Sequence, residues 1–202
     1  SASPMYISTY NKKVYCYAND GTTGHQLSWT DSITKPKLTD NLNTGNANAI
    51  SVGYGKPTIS VNGILYFTAT NGASGEEIFS YDGTNAPKLV WDIDMGTGNS
   101  SPDYYTENGG TLYFRASTPA NGYELWQYDI SNKLVKRLTD IRSGTDSSLT
   151  GDVLYYKNRI LFTANDGTTG NELWSYNILT QQAQLITDID TGAADSDPKN
   201  LT

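Results

Sequence analysis

Short apolar runs alternate with polar, glycine-rich segments along the whole chain, and one segment occurs twice letter for letter. The heptapeptide ANDGTTG occupies residues 18–24 and again residues 164–170, and related segments lie between them at 69–75 and 116–122. An apolar run that ends in alanine precedes each copy: VYCYA, LYFTA, LYFRA and ILFTA. The chain therefore contains four repeats of about 48 residues, at approximately 4–53, 54–100, 101–148 and 149–198.

Each repeat contains four runs of strand length. After the heptapeptide comes HQLSWTD, EEIFSYD, YELWQYD or NELWSYN, then a short run that ends in aspartate, then a polar glycine-containing segment and another short apolar run. These runs lack helical periodicity, and Gly, Asn, Asp and Pro separate them. Four strands per repeat predict an all-β fold, a four-bladed β-propeller with four antiparallel strands per blade, formed by residues 1–202 as a single domain.

The two ends of the sequence bear on how the blades are arranged. SASPMYIS and SDPKNLT belong to the same phase of the repeat, which favours four complete blades in a closed ring. A piece of a larger propeller and an open solenoid remain as alternatives.

The motifs themselves resemble a known family. ELWQYD at 124–129, ELWSYN at 172–177 and EIFSYDGT at 77–84, followed by DIDMGTGNSSP or DIDTGAADSDP, are similar to the ELWxxDGT repeats of large secreted or surface proteins of bacteria. The resemblance covers the whole chain and implies a β-propeller-like, non-catalytic extracellular module, without naming a ligand. The first repeat departs from the pattern, because Trp29 comes one position late in QLSWTD.

The amino-acid composition limits the classes of partner that the protein is expected to bind. A net charge of -7 and a charged fraction of 17% argue against nucleic acid, whose phosphates need a basic face. No apolar run approaches the roughly 20 residues of a transmembrane segment. The single cysteine, Cys16, lies in an apolar strand and is expected to be a buried thiol, and the single histidine, His25, is expected to face solvent. No cofactor is expected, with calcium as the one candidate.

A glutamate recurs at one position of the repeat. Glu77, Glu124 and Glu172 share this position with Gln26 of the first repeat. A glutamate beside buried residues is expected to bind backbone N–H groups of a neighbouring strand. The alternative is a pair of catalytic carboxylates in a glycan-processing hydrolase.

An aspartate also recurs, at the end of the last strand of each repeat. We expect Asp40, Asp92, Asp140 and Asp188 to cap the turns that follow. The alternative is calcium, because D-I-D-x-G places two carboxylates in one loop. The candidate calcium ligands are Asp92, Asp94, Asp188 and Asp190.

Aromatic residues fall into two groups. Phe79, Trp126 and Trp174 share a register and are interpreted as core residues between blades. Trp29 and Trp91 instead occupy positions where the other repeats have small or polar residues, so they are candidates for stacking on a ligand, although Trp29 could also compensate for the divergent first repeat.

The loop between strands two and three and the loop to the next blade should emerge on the same face. That face is the predicted binding surface, and its candidate ligand-binding residues are Trp29, Trp91, Asp20, Asp166, Asp92 and Asp188.

The sequence therefore favours a non-catalytic, lectin-like binding module on the bacterial cell surface, an adhesin or a carbohydrate-binding domain of a larger multidomain protein. Its expected partners are glycans or cell-surface proteins. The alternatives are a scaffold for protein–protein interaction and, third, a glycan-processing enzyme.

Overall fold

The computed structural model describes residues 5–31, 37–44, 47–50 and 58–201, and within these ranges the chain is built of strands and turns without a helix. Sixteen strands in these described ranges form four sheets of four, which confirms the all-β prediction and the four repeats. No described segment is a helix of the length and hydropathy that crossing a membrane requires.

The strands follow the repeats in chain order. The first sheet contains β1 (Met5–Tyr10), β2 (Lys13–Asn19), β3 (His25–Thr30) and β4 (Lys37–Leu38), and the second contains β5 (Thr58–Val61), β6 (Ile64–Ala69), β7 (Glu77–Tyr81) and β8 (Lys88–Trp91). The third contains β9 (Asp103–Asn108), β10 (Thr111–Thr118), β11 (Gly122–Asp129) and β12 (Leu134–Arg137), and the fourth contains β13 (Leu149–Tyr156), β14 (Arg159–Asn165), β15 (Asn171–Asn177) and β16 (Gln182–Thr187). In every sheet, strands that are consecutive along the chain pair antiparallel.

The first hairpin of every sheet closes through two residues in the left-handed region. Their φ angles are 46° and 61° at Asn11 and Lys12, and 49° and 74° at Asn62 and Gly63. Gly109 and Gly110 have φ angles of 59° and 82°, and Lys157 and Asn158 have φ angles of 47° and 61°. Two-residue hairpin loops of this kind match the right-handed twist of the strands they join, and asparagine and glycine tolerate them best.

The chain divides into two compact units, residues 1–102 and residues 103–202, each with two sheets. The first unit has a core that includes Tyr15, Tyr17, Phe67 and Phe79. The second has a core that includes Tyr113, Leu125, Phe162 and Tyr176. That the whole chain forms one domain stays a prediction.

Two expectations about buried residues can be compared with the structure. Cys16 is a free, buried thiol as expected, and burial raises its pKa. Of the three residues interpreted as core, Phe79 is buried, whereas Trp126 and Trp174 are only partly buried.

Candidate functional site

The polar loops meet at one end of each sheet, as the sequence predicted. In all four repeats the loop after the second strand is crossed by the loop that follows the fourth strand, and we call this crossing the loop junction. Two consecutive N–H groups of the later loop donate to one carbonyl oxygen at the start of the third strand: those of Ala49 and Ile50 to His25, and those of Ser196 and Asp197 to Asn171.

A glycine allows the two loops to approach at each junction. A Cβ atom added to Gly75 would lie 1.6 Å from the carbonyl oxygen of Gly98, and one added to Gly170 would lie 2.0 Å from that of Ala194. Gly24 and Gly122 face backbone atoms of the later loop at 2.8 and 2.6 Å. The second glycine of ANDGTTG therefore recurs because no side chain fits there.

The repeated glutamate lies beneath the junction, fully buried. Glu77 accepts hydrogen bonds from the N–H groups of Ile93 (2.9 Å) and Ser100 (3.1 Å) and from Ser100 Oγ (2.5 Å). Glu172 accepts them from Ile189 N–H (3.1 Å) and Ser196 Oγ (2.6 Å). The expected role in binding backbone N–H groups is confirmed, but the donors lie in the loop after the fourth strand and not in a neighbouring strand.

Glu124 has the same role in the third repeat. It accepts hydrogen bonds from Thr139 Oγ1 at 2.6 Å and from Ser148 Oγ. Each glutamate is thus paired with the last serine of the D-I-x-x-G-x-x-x-S segment, 23 or 24 residues later. The carboxylate of each of these three repeats is therefore hydrogen-bonded within the loop junction of the same repeat.

The first repeat reverses the polarity of this contact. Gln26 Nε2 lies near four oxygen acceptors: the carbonyl oxygens of Thr23 (2.8 Å), Ala47 (3.2 Å) and Asn43 (3.4 Å), and Asn41 Oδ1 (3.1 Å). The position of the serine is taken by Ala49, which is also fully buried. Glutamate with serine and glutamine with alanine are therefore alternative pairs, since an acceptor needs donors and an amide N–H needs acceptors.

The net direction of the pKa shift differs among the three glutamates. It raises the pKa of Glu77 and of Glu124, more than their hydrogen bonds from serine and backbone groups lower it. In the last repeat burial again raises the pKa of Glu172, but the hydrogen bonds from Ser196 and Ile189 outweigh it and leave this pKa below its usual value.

These directions predict a pH dependence of stability. Because the folded-state pKa of Glu124 is raised, its stabilising contribution is complete below the ordinary value of 4.5 and is lost as the pH rises through the folded-state pKa. We expect the wild-type free energy of unfolding to fall between pH 4.5 and pH 7 by an amount that Glu124→Gln reduces. Urea unfolding at both pH values measures this difference, and an identical difference in the variant would contradict the prediction.

Asp20 and Asp166 lie in the turns of the two identical heptapeptides. Asp20 Oδ1 accepts hydrogen bonds from the N–H groups of Thr22 and Thr23, both at 2.8 Å, and Asp166 Oδ1 accepts the equivalent bonds from Thr168 and Thr169, both at 2.8 Å. Burial raises the pKa of Asp166, but the hydrogen bonds lower it by more, so this pKa lies below its usual value. Both residues order their own turns, and ligand binding by them stays a prediction.

The strand-end aspartates cap their loops in two repeats as expected. Asp92 Oδ2 accepts the N–H of Gly96 at 3.0 Å, and Asp188 Oδ2 accepts that of Gly192 at 3.1 Å. Asp140 instead forms an ion pair with Arg137 at 3.2 Å. In both capping residues the second oxygen, Oδ1, is buried without a hydrogen-bond partner.

The four candidate calcium ligands lie as two pairs in separate loops, after β8 and after β16. The Asp94 carboxylate packs over Gly98, where an added Cβ would lie 2.1 Å from Oδ2, and Asp190 is exposed. Within the described ranges no three Asp, Glu, His or Cys residues are grouped so that they could hold a metal ion. Neither D-I-D loop, as far as the structure describes it, therefore groups three carboxylates around one position.

Trp29 is covered by lysines of its own sheet. Lys13 Nζ lies 3.6 Å from the ring centroid and Lys37 Nζ lies 5.1 Å from it. The ring also packs against the core of the first unit. These contacts fit a structural role in the divergent first repeat, and ligand stacking by Trp29 stays a prediction.

Trp91 is much more accessible. It is the last residue of β8, its side chain is 42% exposed, and the polar loop begins at the next residue, Asp92. At the equivalent position Thr39 Oγ1 donates to the carbonyl oxygen of Leu27 at 2.7 Å. Trp91 thus presents an indole ring at the loop end of its sheet where another repeat uses a hydroxyl group inside the structure.

A polar cavity in the second unit was missed by the sequence analysis. It has a volume of about 250 Å³ and lies at the opposite end of the sheets from the loop junctions, with Tyr113, Gln127, Lys136 and Tyr176 among its lining residues. Gln127 occupies the register of Trp29, so the exchange of a large residue for a smaller one was the available signal.

These features define the class: an all-β repeat protein of four four-stranded antiparallel sheets with a loop junction in each repeat. No family model and no curated protein matches the chain. Solved structures do. A puromycin-hydrolyzing peptidase of Mycobacterium tuberculosis aligns with a TM-score of 0.61 and 10% identity, over 93% of this chain and 30% of the peptidase.

Two further structures are similar. The computationally designed Ika8 protein aligns with a TM-score of 0.54 and 17% identity, over 96% of this chain and 51% of the designed one. A prolyl endopeptidase aligns with a TM-score of 0.58 and 15% identity, over 91% of this chain and 26% of its own. The chain thus spans about half or less of each of these proteins, and at these identities the likeness concerns the fold alone.

Proposed function

We propose that this chain is a non-catalytic, glycan-binding module of a bacterial cell-surface protein, whose four sheets close into a four-bladed β-propeller. The observation that carries the proposal is Trp91, an indole ring 42% exposed next to a loop rich in hydrogen-bonding groups. An aromatic face offers the ring of a sugar a large contact area, while neighbouring polar groups bind its hydroxyls.

The placement of the carboxylates supports a binding role over catalysis. Glycoside hydrolysis needs two carboxyl groups on either side of one bond. Here each repeated glutamate is buried and hydrogen-bonded to the serine of its own loop junction. An enzyme of this kind would have to use other carboxylates.

A glycan array provides the first test, and Trp91→Ala is the informative variant. We expect the wild-type chain to bind a related set of glycans and Trp91→Ala to weaken that binding at least tenfold, because the exposed ring is removed. Met95→Ala, in the same loop and 86% exposed, is the matched control and should bind as the wild type does. A blank array for the wild type would refute the carbohydrate proposal.

Calcium enters the same experiment as a second arm. If Asp92 and Asp94 hold calcium, a chelator abolishes binding and added calcium restores it, because carboxylate oxygens are ligands that calcium prefers. Asp94→Asn should then reproduce the effect of the chelator. Binding that is unchanged by the chelator would leave glycan recognition standing and remove calcium from it.

A scaffold for protein–protein interaction is the second candidate, and exposed apolar residues at one sheet edge favour it. Leu89, Trp91 and Met95, on the outer strand of the second sheet and in its following loop, are 37%, 42% and 86% exposed. Exposed apolar groups on an unpaired strand edge can dock a partner. Sedimentation at increasing concentration tests self-association through this edge, and a rising mass that Leu89→Ser abolishes would favour the scaffold.

A further inference from the structure

The cavity in the second unit is built on a row of three side chains across the third sheet. Tyr113 lies opposite Gln127 in the register of β10 and β11, and Gln127 lies opposite Lys136 in that of β11 and β12. Tyr176 of β15 and Gln181 of the turn between β15 and β16 close the other side. Tyr113 and Tyr176 are each 3% exposed, so they form its floor.

The first unit contains the same row with one decisive difference. Tyr15 lies opposite Trp29, and Trp29 lies opposite Lys37. Tyr81 of the second sheet packs against Tyr15 with ring centroids 6.0 Å apart, and Tyr81 and Tyr176 occupy the same position of their repeats. In the first unit the indole ring thus occupies the position that Gln127 has in the second, where the smaller side chain is accompanied by an open cavity.

The residues that line the cavity determine which class of ligand it can bind. Its polar groups are the ammonium group of Lys136, the amides of Gln127 and Gln181, and the hydroxyls of Thr111, Tyr113 and Tyr176. Lys136 forms no ion pair with any described carboxylate, and its Nζ lies 3.5 Å from Gln181 Oε1. No carboxylate of the described residues lines the cavity, so an anion would meet a cation and neutral hydrogen-bonding groups there.

The size of the cavity limits the ligand to a single ring. Its volume of about 250 Å³ lies below the roughly 300–1,000 Å³ of sites for drug-sized molecules. Trp29 indicates that a ring system can lie along the equivalent row, against a lysine. A ring that carries one carboxylate and several hydroxyls satisfies both the shape and the polar lining.

We propose that this cavity binds one acidic sugar residue of the uronic acid type, with its carboxylate at Lys136 and its hydroxyls at Gln127, Gln181 and the tyrosines. The inference rests on the proposed glycan-binding function and adds a charged subsite away from the loop junctions. Two equivalent positions then have different roles. The indole ring of Trp29 fills the space beside its own row of side chains, whereas the smaller Gln127 leaves the equivalent space open for a ligand.

The test is a titration of the full chain with D-glucuronate, followed by amide chemical shifts, with D-glucose as the uncharged control. We expect saturable binding of glucuronate with a Kd on the order of 1 mM and binding of glucose at least tenfold weaker. Lys136→Gln should reduce glucuronate binding to the level of glucose. Lys88→Gln changes the equivalent lysine of the second sheet and should leave binding unchanged.

Gln127→Trp tests the comparison of the two units directly, because the new side chain should fill the cavity as Trp29 fills its own site. We expect it to weaken glucuronate binding at least tenfold without loss of the cooperative thermal transition. If this variant does not fold, Lys136→Gln decides alone. No binding of glucuronate at 20 mM, on the order of twenty times the expected Kd, or equal binding by the wild type and Lys136→Gln, would overturn the proposal.

The two proposals fail in different ways. If array binding depends on Trp91 while glucuronate does not bind, or binds equally to the wild type and Lys136→Gln, the glycan-binding function stands and the acidic-sugar cavity is refuted. If glucuronate binds and the variants abolish that binding while the array is blank, the cavity is supported and the glycan surface around Trp91 is refuted.

Discussion

Replacement of Gln26 by glutamate is expected to lower the free energy of unfolding by about 3–5 kcal/mol near neutral pH, the cost of an uncompensated buried charge. The amide nitrogen of Gln26 lies among four oxygen acceptors in a fully buried position. A carboxylate there would place one oxygen among these four acceptors and the other where Gln26 Oε1 is buried without a hydrogen-bond partner, and Ala49 provides no hydroxyl group. The side chain would remain nearly the same size, so the effect would come from charge and hydrogen bonding.

Urea unfolding of both proteins at pH 7 and at pH 4 measures this effect. The loss should be smaller at pH 4, because a protonated carboxyl group can donate to one of the surrounding acceptors. The reciprocal variant, Glu77→Gln, is the matched control and should cost about 1–3 kcal/mol, since it leaves donors poorly paired without burying a charge. Equal costs for the two variants would contradict the pairing of glutamine with alanine and glutamate with serine.

Replacement of Gly75 by alanine is expected to cost about 3 kcal/mol, near the upper end of typical overpacking effects. The added Cβ would lie 1.6 Å from the carbonyl oxygen of Gly98, so one of the two loops has to move. That movement would disturb the hydrogen bond from Gly75 N–H to the carbonyl oxygen of Gly96, at 3.0 Å. The expected result is a lower midpoint of urea unfolding with an unchanged denaturant slope.

Gly96→Ala separates the collision from backbone strain. Gly96 has a φ of +87° with open space around its Cβ direction, so alanine there should cost about 1–2 kcal/mol from strain alone. Gly75 lies outside the left-handed region, and its whole cost would come from the crossing loop. If Gly75→Ala costs less than Gly96→Ala, the close crossing is not what requires glycine at this position.

Much of the fold could be predicted from the sequence because the chain is a repeat. The alternation of apolar runs with Asn-, Asp- and Gly-rich turns is local information, and each of the sixteen strands lies in or beside a run identified from sequence. The turn residues were equally informative, because Asp20 and Asp166 cap their turns through neighbours two and three positions away. The first repeat was harder, and residues 45–46 and 51–57 of its polar insertion lie outside the described residues.

The binding proposals depend on tertiary contacts and on side-chain exposure, which cannot be read from the sequence. Trp29 and Trp91 were equivalent candidates by position, yet lysines cover Trp29, whereas Trp91 is 42% exposed. Gln127 was not a candidate site residue, because a glutamine in a strand does not indicate a binding site until its cross-strand neighbours are known. The cavity is a property of the row from Tyr113 to Lys136 and of the fourth sheet beside it.

The sequence by itself determined the number of repeats, the strand order and the turns, because these follow from residue types within a few positions of one another. Only the tertiary structure decided what the repeated residues do. Each glutamate meets its serine across 23 or 24 residues, and Gly75 meets the carbonyl group of Gly98 where two loops cross. Such pairings depend on the space and the hydrogen-bonding groups that remain once the sheets have formed, and no local pattern specifies these.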